Sequence, residues 1–182
     1  MVSPVDVDEL FSKCMTESDI EKLTARTVVQ YIASPFEIHC DKFAPEAERD
    51  EKSAFVELLF QRGKDFEAQY VRDKFPNSVT IPEGTRYEDG FKLTIDSMIS
   101  SADVFHGAPI YYLPEGVYGT ADILEKSNTE SSIFGNYHYT VKEVKLAKNI
   151  QEKHLLQGAF YNYLLGKIQG VTPKTFAMIN GD

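Results

Sequence analysis

The sequence has few cysteines and no long apolar run. It contains Cys14 and Cys40 alone, which can form at most one disulfide. No apolar stretch approaches the ~20 residues needed to span a bilayer. The N-terminus also lacks the charged segment followed by an apolar one that marks a secretory signal. We therefore expect a cytoplasmic protein with no membrane segment.

Basic residues are scarce as well. The chain has 19 Lys and Arg against 28 Asp and Glu, which gives a net charge of -9 at pH 7. Contacts with phosphates usually require clustered Lys and Arg, so this charge argues against a broadly basic surface for nucleic acid. Binding of nucleic acid would need a local basic patch, bound cations or a partner domain.

The rest of the composition is that of one globular domain. Hydrophobic residues make up 42% of the chain and charged residues 26%. A chain of this length can bury ~70% of the surface that its unfolded form exposes. We expect a single domain over residues 1–182, with residues 1–35 as a helical lead-in. There is no internal repeat and no low-complexity tract.

Polar side chains interrupt two neighbouring strand patterns. The segment 117–125 reads as a strand with Asp122 set between apolar residues, and the segment 139–147 reads as the next strand. Side chains alternate along a strand, so Glu143 and Lys145 share one face. The turn-forming residues between the segments predict an antiparallel hairpin, which can place Asp122 beside Glu143.

Two adjacent carboxylates repel each other unless a cation lies between them. Their hard oxygen atoms suit magnesium or manganese. Lys145, two residues after Glu143, is placed to hold an anionic substrate or to orient a water molecule. The spacing alone fits equally well with a surface ion pair on a hairpin.

The segment Pro45–Lys74 gives the strongest helix prediction. At about 100° per residue, Glu67 falls near the centre of an otherwise apolar stripe. A carboxylate in such a position is costly unless it is paired or bound to a metal. We therefore assign Glu67 either to a metal site or to a pair with Arg62 or Arg72.

A second helix is predicted over Ile150–Ile168, with Asn149 as its cap. Gln157 and Tyr161 are four residues apart and therefore point the same way. They can tie the helix to the sheet or contact a substrate. The segment Lys174–Asn180 then reads as a last strand.

Other segments give weaker predictions. Residues 16–23 indicate a helix start, and residues 79–90 indicate a loop-rich connection. Residues 91–99 fit a helix or a short strand. A broken strand over 103–114 leads to a turn at 114–116, and we interpret His106 and His154 as packing or surface histidines.

Three motifs occur in a defined order: Gly119-x-x-Asp122, Glu143-x-Lys145 and Gln157-x-x-x-Tyr161. Each alone is weak, but their order and their places on strand, strand and helix make the combination specific. It resembles the PD-(D/E)XK nuclease superfamily, and the third motif resembles its RecB-type exonucleases. Residues 97–109, which lead into the first motif, also look like RecB-like proteins. The resemblance covers roughly residues 30–182.

The resemblance implies an α/β (α+β) fold with a restriction endonuclease-like core, in which a central mixed sheet is flanked by helices in the order αβββαβ. It implies metal-dependent hydrolysis of phosphodiester bonds in DNA, by exonuclease action. The metal ligands it implies for Mg²⁺ or Mn²⁺ are Glu67, Asp122, Glu143 and the backbone carbonyl of Val144. Lys145 would position the attacking water or stabilise the transition state. Gln157 and Tyr161 would orient Lys145 or the strand end.

The sequence departs from the RecB-type pattern at two places. That pattern ends a helix with a His-Glu pair at the metal site, and here Phe66 stands before Glu67, which leaves open one metal or two. Some relatives hold an iron-sulfur cluster through one early and three late cysteines, and this chain lacks the late three.

The resemblance also implies partners. These are DNA, as single strands or strand ends, and a fused or separate helicase or other nucleic-acid-processing domain; an oligomer is compatible with it. Relatives continue past the last strand, so the chain is either a module of a longer protein or a compact member. The alternative function is a nuclease-like module of weak or no activity that binds DNA or a protein, which Phe66 and the acidic charge favour. A hydrolase of small phosphates is a third reading.

Overall fold

The computed structural model describes residues 5–51, 53–82 and 84–181. In this part of the chain six α-helices surround one five-stranded sheet. The helices are α1 (Val7–Met15), α2 (Ala25–Ala33), α3 (Pro35–Phe43), α4 (Ala54–Lys74), α5 (Tyr87–Ile99) and α6 (Glu152–Gln169). The strands are β1 (Val79–Thr80), β2 (Val104–Tyr112), β3 (Val117–Ser127), β4 (His138–Val144) and β5 (Ala177–Ile179).

The strands lie in the order β1-β2-β3-β4-β5. The middle three are antiparallel neighbours, while β1 runs parallel to β2 and β5 runs parallel to β4. From α5 onward the elements follow the order helix, three strands, helix, strand. The predicted mixed sheet flanked by helices is confirmed.

Two apolar clusters cover the sheet, because successive side chains of a strand point to opposite sides. The larger cluster packs α1, α5 and α6 on the strands, and its fully buried members include Phe91, Leu164 and Val141. The smaller cluster joins Val71 of α4 to Ile123 and to Val144 at the end of β4. The C-terminal half of α4 therefore lies on the sheet.

The predicted start of α4 is wrong. Residues 46–48 form a short 3-10 turn, and the helix begins at Ala54. The hydroxyl of Ser53 accepts a hydrogen bond from the backbone N–H of Val56 at 3.3 Å, which satisfies a free donor of the first turn. Several apolar side chains of the N-terminal half stay exposed, among them Phe55 and Phe60.

Two other helices also begin later than predicted, because other residues cap them. Residues 16–23 form no helix; α2 begins at Ala25, and Thr24 and Thr27 make reciprocal cap hydrogen bonds. In the same way α6 is capped by Gln151 and His154, and not by Asn149.

The weaker predictions are resolved by the structure. Residues 91–99 belong to α5. The predicted connection 79–90 contains the short strand β1, which pairs with β2. The turn at 114–116 is confirmed: Gly116 has φ 66°, a left-handed conformation that favours glycine. Among the described residues, no helix has the length and apolar character needed to cross a membrane.

Candidate active site

A cavity of about 520 Å³ lies at the end of the sheet where β4 stops, between α2, α4 and α6. Six of the seven sequence-predicted site residues line it: Glu67, Asp122, Val144, Lys145, Gln157 and Tyr161. The seventh, Glu143, lies behind this lining and is completely buried. The fold thus brings together residues that are up to 94 positions apart.

Asp122, Glu143 and Lys145 form one hydrogen-bonded cluster. The Nζ atom of Lys145 lies 3.3 Å from Oδ2 of Asp122 and 2.9 Å from Oε2 of Glu143. The backbone N–H of Asp122 donates to Oε1 of Glu143, and the backbone N–H of Val144 donates to Oδ2 of Asp122 at 2.8 Å. The prediction that the hairpin places Asp122 beside Glu143 is confirmed.

The charged side chains of this cluster are largely buried. Burial and the nearby charge of Asp122 raise the pKa of Glu143 to about 8, against the opposing effect of Lys145. Burial also raises the pKa of Asp122, and Glu67 adds to the rise. Burial alone would lower the pKa of Lys145, but Asp122 and Glu143 raise it above its ordinary value. Two acids therefore share one cation.

Glu67 enters the cavity from α4 and pairs with a histidine. Its Oε1 atom lies 2.8 Å from Nε2 of His106 on β2. Both side chains are largely buried. The alternative of a pair with Arg62 or Arg72 is wrong, since the residue that contacts Glu67 is His106. Phe66, the neighbour of Glu67, packs against the apolar cluster of Val71.

The helix motif meets the strand motif through direct contact. The hydroxyl of Tyr161 interacts with the side chain of Gln157 and with the backbone of Thr120. A β-carbon placed on Gly119 would lie 3.2 Å from that hydroxyl oxygen. Burial raises the pKa of Tyr161, and the charges of Glu143 and Asp122 add to the rise. The Tyr161 hydroxyl is therefore neutral and lies near the acids.

The resemblance implies a bound divalent cation, which requires several oxygen ligands close to one another. Among residues 5–51, 53–82 and 84–181, no three or more His, Cys, Asp and Glu side chains are arranged as a metal site. Asp122 lies beside Glu143, and Glu67, which lines the same cavity from α4, contacts His106. All three offer carboxylate oxygens, which are the ligands that Mg²⁺ and Mn²⁺ prefer. The donor set fits such an ion by its chemistry.

Sequence reasoning missed several residues of the cavity. His106, which contacts Glu67 from outside the lining, was available from the hairpin register, since the pairing that starts at Tyr112↔Val117 leads to His106↔Ile123, next to Asp122. Arg26 and Lys153 had no signal, because their helices meet only in the folded chain. His154 also lines the cavity, and its Nδ1 atom accepts a hydrogen bond from the backbone N–H of Gln151.

No family model, curated protein or solved structure matches this chain. The cavity offers paired carboxylates with raised pKa values, an ammonium group that contacts both and a neutral tyrosine hydroxyl. This set can hold a cation, orient a water molecule and oppose negative charge on a reacting phosphate.

Proposed function

We propose that this chain is a divalent-metal-dependent nuclease that hydrolyses phosphodiester bonds in DNA. We further propose a restriction endonuclease-like core of the RecB exonuclease type. The observation that carries the proposal is the contact of Lys145 with both Asp122 and Glu143 inside a cavity that Gln157 and Tyr161 also line. The three motifs thus form one site rather than three separate surface features.

The acids would hold Mg²⁺ or Mn²⁺. Asp122, Glu143, Glu67 and the carbonyl of Val144 supply the oxygen atoms. Such an ion, when bound, lowers the pKa of a coordinated water and offsets the charge that grows on the scissile phosphate. Glu67 is held in place by His106, which gives the ligand a fixed orientation.

Lys145 supplies the positive charge next to the reacting phosphate. Its Nζ atom is kept protonated by Asp122 and Glu143, which raise the pKa of Lys145. From this position it orients the attacking water or stabilises the extra charge of the transition state. Tyr161 and Gln157 would support the part of β3 that carries Asp122, because Tyr161 contacts the backbone of Thr120.

The second candidate is a nuclease-like module that binds DNA or a protein without cleaving. Two observations favour it. The acid pair is already neutralised in part by Lys145, and Glu67 is already paired with His106. The position that is histidine in the RecB-type pattern is Phe66, which belongs to an apolar cluster.

Labelled single-stranded and duplex DNA separate these functions. The wild type is incubated with each DNA in EDTA, Mg²⁺ or Mn²⁺, beside Asp122→Asn and beside Asp19→Asn, a control at an exposed acid outside the cavity. Metal-dependent products that Asp122→Asn loses and Asp19→Asn retains support the nuclease. Retention of DNA without products supports the binding module. Hydrolysis of nucleotides but not of polymers indicates a hydrolase of small phosphates.

A further inference from the structure

One histidine of the cavity lies outside the three motifs. His154, Gln157 and Tyr161 follow one another on α6 at intervals of three and four residues, so they share one face of that helix. All three line the cavity. Exposure increases along this row, from the buried Tyr161 to the half-buried His154. His154 therefore extends the face of Gln157 and Tyr161 by one helical turn.

One ring nitrogen of His154 is already in use. Its Nδ1 atom accepts a hydrogen bond from the backbone N–H of Gln151 at 3.2 Å, and this bond caps α6. An accepting nitrogen must present a lone pair, so the neutral ring carries its proton on Nε2. Nε2 is therefore the nitrogen that can donate.

The second ring nitrogen has no protein partner. In the part of the chain that the structure describes, no hydrogen bond or ion pair reaches Nε2 of His154. His106 differs in this respect, because its Nε2 atom contacts Glu67 at 2.8 Å. Since Nδ1 of His154 is turned to its own helix, Nε2 is the nitrogen left for a ligand in the cavity.

The surroundings of His154 keep its ring uncharged. Burial lowers the pKa of His154 below its ordinary value, and the positive charges of Lys153 and Lys145 lower it further. The effect of Lys145 also means that its ammonium group lies close enough to the ring to act on it. At neutral pH His154 is therefore an uncharged donor near the cation that contacts Asp122 and Glu143.

An uncharged N–H beside a cation is suited to a phosphate oxygen. A hydrogen bond to an ionised acceptor is stronger than one between neutral groups. A donor that is already oriented before the reaction stabilises charge that grows on such an oxygen in the transition state. A neutral imidazole holds its N–H proton too tightly to act as a general acid, and the Nδ1 lone pair is occupied by Gln151.

We propose that His154 is a further catalytic residue, whose Nε2–H donates a hydrogen bond to a non-bridging oxygen of the phosphodiester that Lys145 faces. This assignment rests on the proposed function, to which it adds a donor that carries no charge. His154 transfers no proton in this role. Its orientation is set through Nδ1 by α6, the helix that also carries Gln157 and Tyr161.

Two amide variants separate the donor from the cap. The side-chain NH₂ of Gln lies near the position of Nε2, so H154Q keeps the donor; the side-chain oxygen of Asn lies near the position of Nδ1, so H154N keeps the cap and loses the donor. With labelled DNA and Mn²⁺, kcat should fall about 100-fold in H154N and much less in H154Q. H39N, on α3 and outside the cavity, should keep the wild-type kcat.

A purely structural role predicts the reverse order, because H154N would then resemble the wild type and H154Q would lose the cap. Circular dichroism checks that both variants are folded. Any result in which H154Q is not clearly more active than H154N overturns the proposal.

NMR in EDTA tests the donor without cleavage. The protein is labelled with ¹⁵N-histidine, and the His154 signal is the one that H154Q lacks. Thymidylyl-thymidine, which contains one DNA phosphodiester, should shift the Nε2–H signal of His154 and leave that of His39 unchanged. No shift at His154, or an equal shift at His39, would overturn the proposal.

The NMR and cleavage assays fail independently. If thymidylyl-thymidine shifts the His154 signal but no DNA is cleaved with Mn²⁺, the phosphodiester contact of His154 stands and the proposed hydrolysis fails. If H154N cleaves DNA as fast as the wild type, the hydrolysis stands and the assignment of His154 fails.

Discussion

A β-carbon on Gly119 would lie 2.7 Å from the Cε1 atom of Tyr161, closer than real carbon atoms approach. Strand β3 and helix α6 can therefore meet at this point only because position 119 has no side chain. The contact joins the first motif to the third. It also keeps the Tyr161 ring beside the strand that carries Asp122.

Gly119→Ala should displace the Tyr161 ring. Overpacking of this kind costs about 1–3 kcal/mol of the free energy of unfolding. We expect DNA cleavage to fall much further than this loss of stability explains, because the ring packs on the part of β3 that leads to Asp122. Urea denaturation and the cleavage assay measure the two effects.

The control for this variant is Gly84→Ala. Gly84 has φ 81° and no atom within 4 Å of an added β-carbon, and it lies outside the cavity. The left-handed backbone makes alanine cost about 1 kcal/mol there. Cleavage by Gly84→Ala should stay at the wild-type rate at a temperature where it is folded. Equal activity in the two variants would show that the close contact has no role in the site.

Lys145→Met should damage both the fold and the reaction. Without the ammonium group, Asp122 and Glu143 face each other with no cation in metal-free buffer. Breaking such a largely buried pair costs about 3 kcal/mol of the free energy of unfolding. Cleavage should fall by about 100-fold or more, since the charge beside the phosphate is lost.

Lys142→Met is the matched control for Lys145→Met. Lys142 lies on β4, three residues before Lys145, and pairs at 2.7 Å with Glu125, which is partly exposed. This substitution should cost about 1 kcal/mol or less and leave cleavage unchanged. If Lys145→Met were as stable and as active as Lys142→Met, Lys145 would be a surface lysine without a function.

His106→Ala should weaken metal binding, although His106 is not one of the proposed metal ligands. The imidazole contacts Oε1 of Glu67 at 2.8 Å, and loss of a partner that orients a ligand typically lowers metal affinity by about 10–100-fold. His106→Gln keeps an N–H donor and should recover part of the affinity. Mn²⁺ calorimetry measures this, with His39→Ala on α3 as the control. Wild-type affinity in His106→Ala would remove Glu67 from the proposed ligands.

The stability of the metal-free protein should decrease as the pH rises. Burial and Asp122 raise the pKa of Glu143 from 4.5 to about 8, so the folded protein keeps a proton that the unfolded chain has released. The free energy of unfolding therefore falls as the pH rises through this range and then levels off. Glu143→Gln should remove much of this slope. Urea denaturation in EDTA at several pH values tests it, and parallel curves for the two proteins would contradict it.

The hairpin and its acids could be predicted because their information is local. Alternation of side chains identifies β3 and β4, and the turn formers between them leave antiparallel pairing as the simplest layout. Asp122 then falls beside Glu143. The same holds for Gln157 and Tyr161, whose spacing on a helix fixes their shared direction.

Contacts between distant elements could not be predicted in this way. Glu67 pairs with His106 because α4 crosses the sheet at that point, and nothing within α4 encodes the crossing. The cavity also forms only where α2, α4 and α6 meet. Helix starts are hard to predict for a different reason, since several polar residues near each start can act as the cap. In α6 the cap is Gln151 and not Asn149, because Gln151 and His154 form reciprocal hydrogen bonds.

Diffraction from crystals soaked in Mn²⁺ tests the central claim most directly, because the anomalous signal locates the ion. The account predicts a peak in the cavity, coordinated by Asp122 and Glu143, with Lys145 moved away from the space between the two acids. It also predicts that the peak disappears in Asp122→Asn. Wild-type crystals with no peak at these acids, and with Lys145 still bridging them, would contradict a metal-dependent reaction at this site.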